Sequence, residues 1–232
     1  HELRSPLANL LGATQLALSR EREADFYRET LASNAEEIER LRAIVNDMLF
    51  LSRADQGGRA ERLEPTDLGA EAGKVLEYHE PAIDEAGVHA TLEGTAIACV
   101  DAALVRRALS NLVSNAIRYT PRGATFEIRL GAQGESVRIA VANPGDTIPP
   151  ADLALLFRRF FRADKARVAT EPGGEAATQA VHVGLGLAIV KAIADMHGGT
   201  AFATSQAGCT EIGLLLPAHP GDAPRQSKLT KA

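Results

Sequence analysis

The chain has 232 residues, of which 45% are hydrophobic and 24% charged, and its formal net charge is −5. This balance is typical of a globular protein. The negative charge, the absence of Trp and the 4% aromatic content argue against nucleic acid as a partner, because phosphate binding needs clustered basic side chains and base stacking needs rings. The two cysteines, Cys99 and Cys209, lack metal-ligand spacing and are expected to be reduced. No run of 18 apolar residues occurs, so no membrane contact is expected of these residues.

Residues 1–56 are predicted to form a helical hairpin. Apolar side chains recur at spacings of four and three in two segments, as in a coiled coil, and the polar residues 20–25 interrupt them. The first stripe is Leu3, Leu7, Leu10, Thr14 and Ala17, and the second is Leu31, Ile38, Leu41, Val45 and Met48. A hairpin with one stripe on each helix cannot bury both alone, so the pattern predicts a four-helix bundle made by two chains.

A change of pattern after residue 56 predicts a linker at 57–66 and a second domain at 67–217, with a disordered polar tail at 218–232. The predicted elements are a helix at 67–86, strands at 88–93 and 96–100, a helix from 102 to 119 capped by Asp101, a strand pair at 125–130 and 136–142, a helix at 186–196 and a hairpin at 200–204 and 210–216. The segment 163–182 has no clear period and predicts a mobile loop. The second domain is therefore expected to be α/β, with an antiparallel or mixed sheet.

A histidine beside a carboxylate, His1 and Glu2, stands at the head of the first helix. A neutral imidazole can attack a phosphoryl group while the carboxylate holds the proton of the other ring nitrogen. Ser5 lies four residues after His1 and shares its helix face. Taken alone, such a pair is more typical of a solvated helix face than of a nucleophile.

Two amides four residues apart, Asn111 and Asn115, lie on one face of the helix predicted at 102–119. Their oxygens could help to hold a Mg²⁺ that also binds triphosphate oxygens. Arg118 could reach the phosphates and Tyr119 could lie against a base. The alternative is that both amides are surface polar residues on a half-buried helix.

Two glycine-containing turns follow later in the sequence. The first, at 143–149, contains Asn143 and Gly145 and could be a plain turn between a strand and a helix. The second contains Gly184 and Gly186 and precedes a helix whose free amide groups would face an anion.

Five segments, in this order, resemble the H, N, G1, F and G2 boxes of sensor histidine kinases of two-component systems. The segments are 1–7 (HELRSPL), 111–120 (NLVSNAIRYT), 143–149 (NPGDTIP), 156–164 (LFRRFFRAD) and 184–190 (GLGLAIV). The Asn-Pro-Gly form of the G1 box is similar to that of the heavy-metal (copper or silver) sensor kinase branch. The resemblance implies a dimeric helical hairpin followed by a Bergerat-type (GHKL) α/β sandwich that binds ATP.

The resemblance also implies a role for each matched residue. His1 is the expected phosphoryl acceptor, Glu2 its base or orienting group, and Ser5 the polar residue that orients water when a response regulator is dephosphorylated. ATP would contact Asn111, Asn115, Arg118, Tyr119, Asn143, Gly145, Ile148, Phe157, Gly184, Leu185, Gly186, Leu187 and Thr210. Mg²⁺ would be held by Asn115 and Asn111, and Asn115 has the firmer claim.

Three positions depart from the family pattern. Asn143 replaces an Asp whose carboxylate accepts from the adenine amino group, Thr147 replaces a second glycine, and His182 stands where a further glycine is usual. These departures leave open a nucleotide-binding, catalytically weak dimeric scaffold that contacts a regulator without phosphorylating it. An ATP-driven clamp related to gyrase and chaperone ATPases is a third interpretation, although those proteins lack the opening helical hairpin.

The resemblance implies a homodimer whose partner is a cognate response regulator. It also implies that these residues are the cytoplasmic portion of a bacterial inner-membrane protein, with membrane spans and a sensor region upstream of His1.

Overall fold

The computed structural model describes residues 3–162 and 184–219. The chain divides into two compact units, His1–Ser52 and Arg53–Ala232. His1 and Glu2, the loop predicted at 163–182 and residues 220–232 of the predicted tail lie outside the described residues. Among the helices that are described, none is both long enough and apolar enough to cross a membrane.

The first unit is made of two helices, α1 (Arg4–Leu18) and most of α2 (Ala24–Asp55). They are joined at 19–23, close to the connection predicted at 20–25. The Asn34 amide nitrogen of α2 donates to the Thr14 hydroxyl of α1 at 3.2 Å, so the two helices are neighbours.

Much of the predicted apolar surface of this hairpin remains exposed in the single chain. The exposed large side chains on α1 and α2 are Leu7, Leu11, Leu16, Leu18, Leu31, Ile38, Val45, Met48 and Leu49. Several of them belong to the two predicted stripes. A second copy of the hairpin would remove these side chains from water.

The part of the second unit that the structure describes contains a five-stranded sheet, a two-stranded sheet and three helices of 11 or more residues. In chain order its elements are β1 (Glu64–Asp67), α3 (Leu68–Ala86), β2 (His89–Glu93), β3 (Ile97–Val100), α4 (Ala102–Tyr119), β4 (Thr125–Gln133), β5 (Ser136–Pro144), α5 (Pro150–Leu153), α6 (Gly186–Met196), β6 (Thr200–Gln206) and β7 (Cys209–Pro217). Five strands form a sheet in the order β2-β4-β5-β7-β6, while β1 pairs only with β3 in a two-stranded sheet. The sheet is mixed, because β2 runs parallel to β4 and the other neighbours are antiparallel.

Two sequence expectations are corrected here. Residues 64–66, placed in the predicted linker, begin β1, where Pro65 pairs with Cys99. The strand pair predicted to turn at 131–134 continues to the register pair Gln133 and Ser136. Gly131 and its neighbours are weak strand formers, but pairing with β5 overrides that local preference.

The core lies between the sheet and helices α3, α4 and α6. Alternate residues of β4 are buried, as expected for a strand with one covered face, whereas β5 and β7 also contain runs of buried residues, at 139–143 and 212–214. The fully buried large side chains include Leu68, Leu109, Leu112, Phe126, Ile128, Ile139, Ile189, Ile193, Leu214 and Leu216. The opposite face carries charge: Arg138 donates to both carboxylate oxygens of Glu211 at 2.9 and 2.7 Å, and this contact holds the pKa of Glu211 below its usual value.

His197, the residue that ends α6, fixes the start of α4. Its Nε2 accepts from the backbone N–H of Asp101 at 3.0 Å, and its Nδ1 donates to the Ile193 carbonyl at 2.7 Å. The Asp101 side chain in turn caps α4 by accepting from the amides of Ala103 and Leu104. Burial lowers the pKa of His197, against the opposing effects of the Ile193 carbonyl and the Asp101 charge.

Acid is therefore expected to weaken the second unit partly through His197. Because the pKa of His197 in the folded protein lies below the ordinary 6.5, the unfolded chain binds more protons in this window, and stability falls as the pH drops below about 6.5. The pKa of His79, which is half-buried, is also lowered by burial. We expect the free energy of unfolding, measured in urea at pH 7.5 and 5.5, to fall less in His197→Gln than in the wild type.

His89, which is exposed, gives the matched control. His89→Gln should show the same fall between the two pH values as the wild type. An equal fall in His197→Gln and the wild type would rule out His197 as a source of the acid sensitivity.

Candidate functional site

Helix α4 presents its polar side chains on one side because the other side is buried against the core. Asp101 caps its N terminus, and the buried positions recur with helical spacing at Val105, Ala108, Leu109, Leu112, Val113 and Ala116. Asn111, Asn115 and Arg118 are half-buried at the edge of this face. The helix thus brings three of the predicted site residues to one side, as their spacing requires.

Asn111 of α4 lies beside Gly186, the first residue of α6. Its amide nitrogen donates to the Arg107 carbonyl at 2.8 Å. Its Oδ1 lies where it would be 2.8 Å from a Cβ on Gly186. Only glycine at 186 leaves this oxygen undisturbed, so Asn111 and Gly186 form one cradle.

The segment before α6 also meets the predicted F box. Gly184 has φ +73°, and its carbonyl accepts from the Phe160 amide at 2.9 Å. A Cβ on Gly184 would lie 2.9 Å from the Phe161 carbonyl oxygen and 3.0 Å from the Phe160 carbonyl carbon. The structure therefore joins two motifs through Phe160 and Gly184, which lie 24 positions apart in the sequence.

Three buried polar side chains form a row across the sheet. Asn143 in β5 is the register partner of Thr210 in β7, and Thr210 is in turn the partner of Ser205 in β6. Direct partners in an antiparallel pair point to the same face. Asn143 is 5% exposed, Thr210 5% and Ser205 7%. The hydroxyl oxygens of Ser205 and Thr210 are 2.8 Å apart, and the Asn143 amide nitrogen donates to the Pro144 carbonyl at 3.1 Å.

The turn that follows Asn143 is tied to the β6–β7 hairpin by three hydrogen bonds. The Gly145 amide donates to the Gly208 carbonyl at 2.9 Å, and the Ile148 amide donates to the Ser205 hydroxyl at 2.9 Å. The Gly208 amide donates more weakly, at 3.4 Å, to the hydroxyl of Thr147. Thr147, a departure from the family pattern, thus has a structural contact of its own.

The remaining predicted side chains differ in burial. Leu185 is buried at 3% exposure, Leu187 and Phe157 are half-buried, and Tyr119 is 40% exposed beneath the Arg118 guanidinium, whose carbon lies 5.3 Å from the ring centre. Ser5 is exposed in the first turn of α1. His1 and Glu2 lie outside the described residues, so their roles stay predictions.

The described residues fit a nucleoside triphosphate in two respects. In the part of the chain that the structure describes, no side chain caps α6, so its first amide groups remain available to an anion beside the cradle of Asn111 and Gly186. The buried row supplies hydroxyl and amide groups that can recognise a heterocyclic base. Amide oxygens such as that of Asn115 are also suitable ligands for Mg²⁺.

Sequence reasoning missed Ser205. Ser205 lies one residue beyond the strand predicted at 200–204, and a serine near a strand end gives no signal of its own. Ser205 contacts Ile148 and Thr210. These residues come close to it only because of the strand pairing and the turn after β5.

Two family models match the chain. The model described as histidine kinase-, DNA gyrase B-, and HSP90-like ATPase matches residues 100–220, and the His Kinase A (phospho-acceptor) domain matches residues 1–57. The second match accounts for the helical hairpin, which the clamp interpretation leaves unexplained.

Proteins and structures of the same kind are similar over nearly the whole chain. The sensor protein IrlS of Burkholderia pseudomallei is 39% identical over 94% of the chain, and the sensor histidine kinase CusS of Escherichia coli K12 is 40% identical over 94%. The chain spans 46% and 44% of the length of these two relatives. The histidine kinase AdeS of Acinetobacter baumannii has the same fold, with a TM-score of 0.73, 24% identity, and coverage of 94% of this chain and 98% of that one.

A further structure, the histidine kinase ThkA in complex with the response regulator protein TrrA, has a TM-score of 0.69 and 23% identity, over 94% of this chain and 59% of that one. The helical hairpin lies within the residues that match the phospho-acceptor model, and Asn111 and Gly186 lie within those that match the ATPase model. The chain belongs to the sensor histidine kinases, with a His Kinase A phospho-acceptor domain followed by an ATP-binding domain of the histidine kinase-, DNA gyrase B-, and HSP90-like ATPase family.

Proposed function

We propose that this chain transfers the γ-phosphoryl group of ATP to His1 and then to an aspartate of a response regulator. The observation that carries the proposal is the meeting of the separate motifs in the second unit. Asn111 lies against Gly186, Phe160 is bonded to Gly184, and Asn143 stands beside Thr210. The match of residues 1–57 to a phospho-acceptor domain supplies the other half of the reaction.

In the proposed first step, a ring nitrogen of His1 forms a bond to the γ-phosphorus while the bond from that phosphorus to the bridging oxygen of ADP breaks. The proton on the other ring nitrogen is held by Glu2, which keeps the attacking lone pair available. ADP leaves with the bond electrons. The protein contributes mainly position and compensating charge, as is general for phosphoryl transfer.

The proposed phosphate site lies between α4 and α6. The amide groups at the start of α6 would donate to the phosphates, with Leu185 and Leu187 next to the two glycines, and Arg118 would add positive charge. Mg²⁺, when bound, would neutralise part of the triphosphate charge. Asn115, helped by Asn111, would be its protein ligand.

The proposed base site lies at the buried row. The Asn143 amide oxygen would accept from the adenine amino group, although without the charge of the usual aspartate. Thr210 would contact the base through water. Gly145 and Ile148, in the turn after Asn143, would contact the nucleotide as well. Tyr119 and Phe157 would cover the nucleotide on its solvent side.

The proposed partners are a second copy of the chain and a response regulator. Exposed apolar side chains on both helices of the hairpin support the homodimer. Ser5, four residues after His1, would orient water for dephosphorylation of the regulator. We also propose that the chain belongs to the heavy-metal branch and is the cytoplasmic portion of a bacterial inner-membrane sensor, and its similarity to the sensor proteins CusS and IrlS supports this.

The proposal is tested by incubating the chain, extended at its N terminus by a fused segment, with Mg²⁺ and γ-labelled ATP. We expect a label on the protein that is labile in acid and stable in alkali. His1→Ala should abolish the label, and Asn115→Ala should reduce it at least 100-fold, consistent with the effect of removing a group that stabilises charge in the transition state.

His89→Ala is the matched control, because His89 is an exposed histidine far along the chain from His1. It should be labelled like the wild type. A label that survives His1→Ala would refute the assignment of the nucleophile. ADP binding without any label on the wild type would refute kinase activity and favour a scaffold.

A further inference from the structure

Ser205 has no role in the reaction proposed above, although it forms one end of the buried row and pairs with Thr210 at its centre. Its hydroxyl oxygen accepts from the Ile148 amide at 2.9 Å and lies 2.8 Å from the Thr210 hydroxyl. It is 7% exposed, so both contacts are sheltered from water. Ser205 therefore connects the turn after β5 to the residue that faces Asn143.

The contacts of Ser205 indicate which of the two hydroxyls, Ser205 or Thr210, donates the hydrogen bond between them. A hydroxyl that accepts a hydrogen bond becomes a better donor, because the bonds in a chain polarise one another. Ser205 accepts from Ile148, so we expect it to donate to Thr210. Thr210 then keeps its own proton for an acceptor on the Asn143 side of the row.

Whether the Thr210 hydroxyl donates or accepts matters because purines differ at the edge that carries the 6-substituent. Adenine has an acceptor at N1, whereas guanine and hypoxanthine have an N1–H donor and an oxygen at position 6. The Asn143 amide can accept or donate, so it discriminates between these edges less than a carboxylate would. A hydroxyl held as a donor would favour the adenine edge, directly or through water.

We propose that Ser205 is a positioning residue for base selection: by donating to Thr210 it holds the Thr210 hydroxyl as a donor and so favours adenine over 6-oxopurines. The inference rests on the proposed nucleotide site. It assigns the adenine preference to a pair of hydroxyls on β6 and β7 rather than to Asn143 alone.

The test measures the affinity of the full chain for ADP and for inosine diphosphate by titration calorimetry. Inosine diphosphate carries the N1–H and the 6-oxygen without the 2-amino group of guanine, so it isolates the edge in question. We expect the wild type to prefer ADP. Ser205→Ala should reduce the ADP-to-inosine diphosphate preference about fivefold, in keeping with one hydrogen bond of ordinary net strength.

Four further variants separate base selection from a general loss of structure. Thr210→Val should reduce the preference as much as Ser205→Ala does, and the double variant should reduce it no further, because Ser205 acts through Thr210. Ser205→Thr, which retains a hydroxyl, should keep the preference. Thr204→Ala, a change at the exposed neighbouring position of the same strand, should leave both affinities unchanged.

Two results would overturn the inference. If Ser205→Ala weakened both nucleotides equally, Ser205 would only support the fold. If the wild type bound both nucleotides equally well, there would be no preference to assign. A wild type that bound neither nucleotide would refute the proposed site itself, and that result differs from the other two.

Discussion

Gly213→Ala is expected to lower the free energy of unfolding of the second unit by about 3 kcal/mol, at the upper end of the usual cost of overpacking. A Cβ on Gly213 would lie 2.2 Å from the Ile139 carbonyl oxygen and 2.8 Å from both the Ala140 Cα and the Phe202 ring. Two of these three atoms belong to the backbone of β5, which is itself paired on both sides. The neighbours therefore cannot move apart without loosening the centre of the sheet.

Gly131→Ala provides the matched control for Gly213→Ala. Gly131 is also a strand glycine, in β4, but a Cβ there would meet no described atom within 4 Å. Its free energy of unfolding should stay within about 0.5 kcal/mol of the wild type, as for an ordinary surface change. Urea unfolding followed by circular dichroism measures both variants. Equal midpoints for the two would show that β5 and β7 accommodate the added methyl group.

Gly184→Ala is expected to reduce ADP affinity more than tenfold. Gly184 has φ +73°, where an L residue other than glycine costs about 1–2 kcal/mol. In addition, its Cβ would lie 2.9 Å from the Phe161 carbonyl oxygen. The backbone of Phe160 and Phe161 would have to shift, and the start of α6 would shift with it.

Gly123→Ala separates backbone strain from this clash. Gly123 has φ +81°, but a Cβ there would meet no described atom within 4 Å. It should lose stability through strain alone and bind ADP like the wild type in titration calorimetry. If Gly123→Ala lost as much ADP affinity as Gly184→Ala, the effect would reflect general destabilisation and not the geometry before α6.

Local signals in the sequence were sufficient for the long helices, although the four-residue α5 was not predicted. The Asp101 cap and the recurrence of Val105, Leu109 and Leu112 predict α4, and the structure places α4 at Ala102–Tyr119. The same spacing places Asn111 and Asn115 on one face. Helices are predictable in this way because their hydrogen bonds and side-chain neighbours lie within four residues.

The long-range partners of the strands were not predictable in the same way. Nothing near Pro65 indicates that it pairs with Cys99, and nothing near Gly131 indicates that pairing with Arg138 continues the strand. Register depends on a partner far away in the sequence and on the face that becomes buried. The same is true of Ser205, whose partners lie on a different strand and in a different turn.

The site residues were identified by resemblance to family motifs, not by chemistry alone. Two amides on a helix or two glycines before a helix occur in many proteins without a ligand. The structure adds distances between motifs, such as the approach of Asn111 to Gly186, which no spacing within one motif contains.

The position of β7 has a consequence for the making of the protein. β7 follows every other strand that the structure describes, yet it lies between β5 and β6 in the sheet. A ribosome adds about 5–20 residues per second. One edge of β5 therefore stays unpaired until Thr210 and the rest of β7 have been synthesised. An unpaired edge attracts other strands, so chaperone protection is expected during this interval. Nucleotide can stabilise the domain only after the interval ends, because Asn143 and Thr210 become neighbours in the same event that closes the sheet.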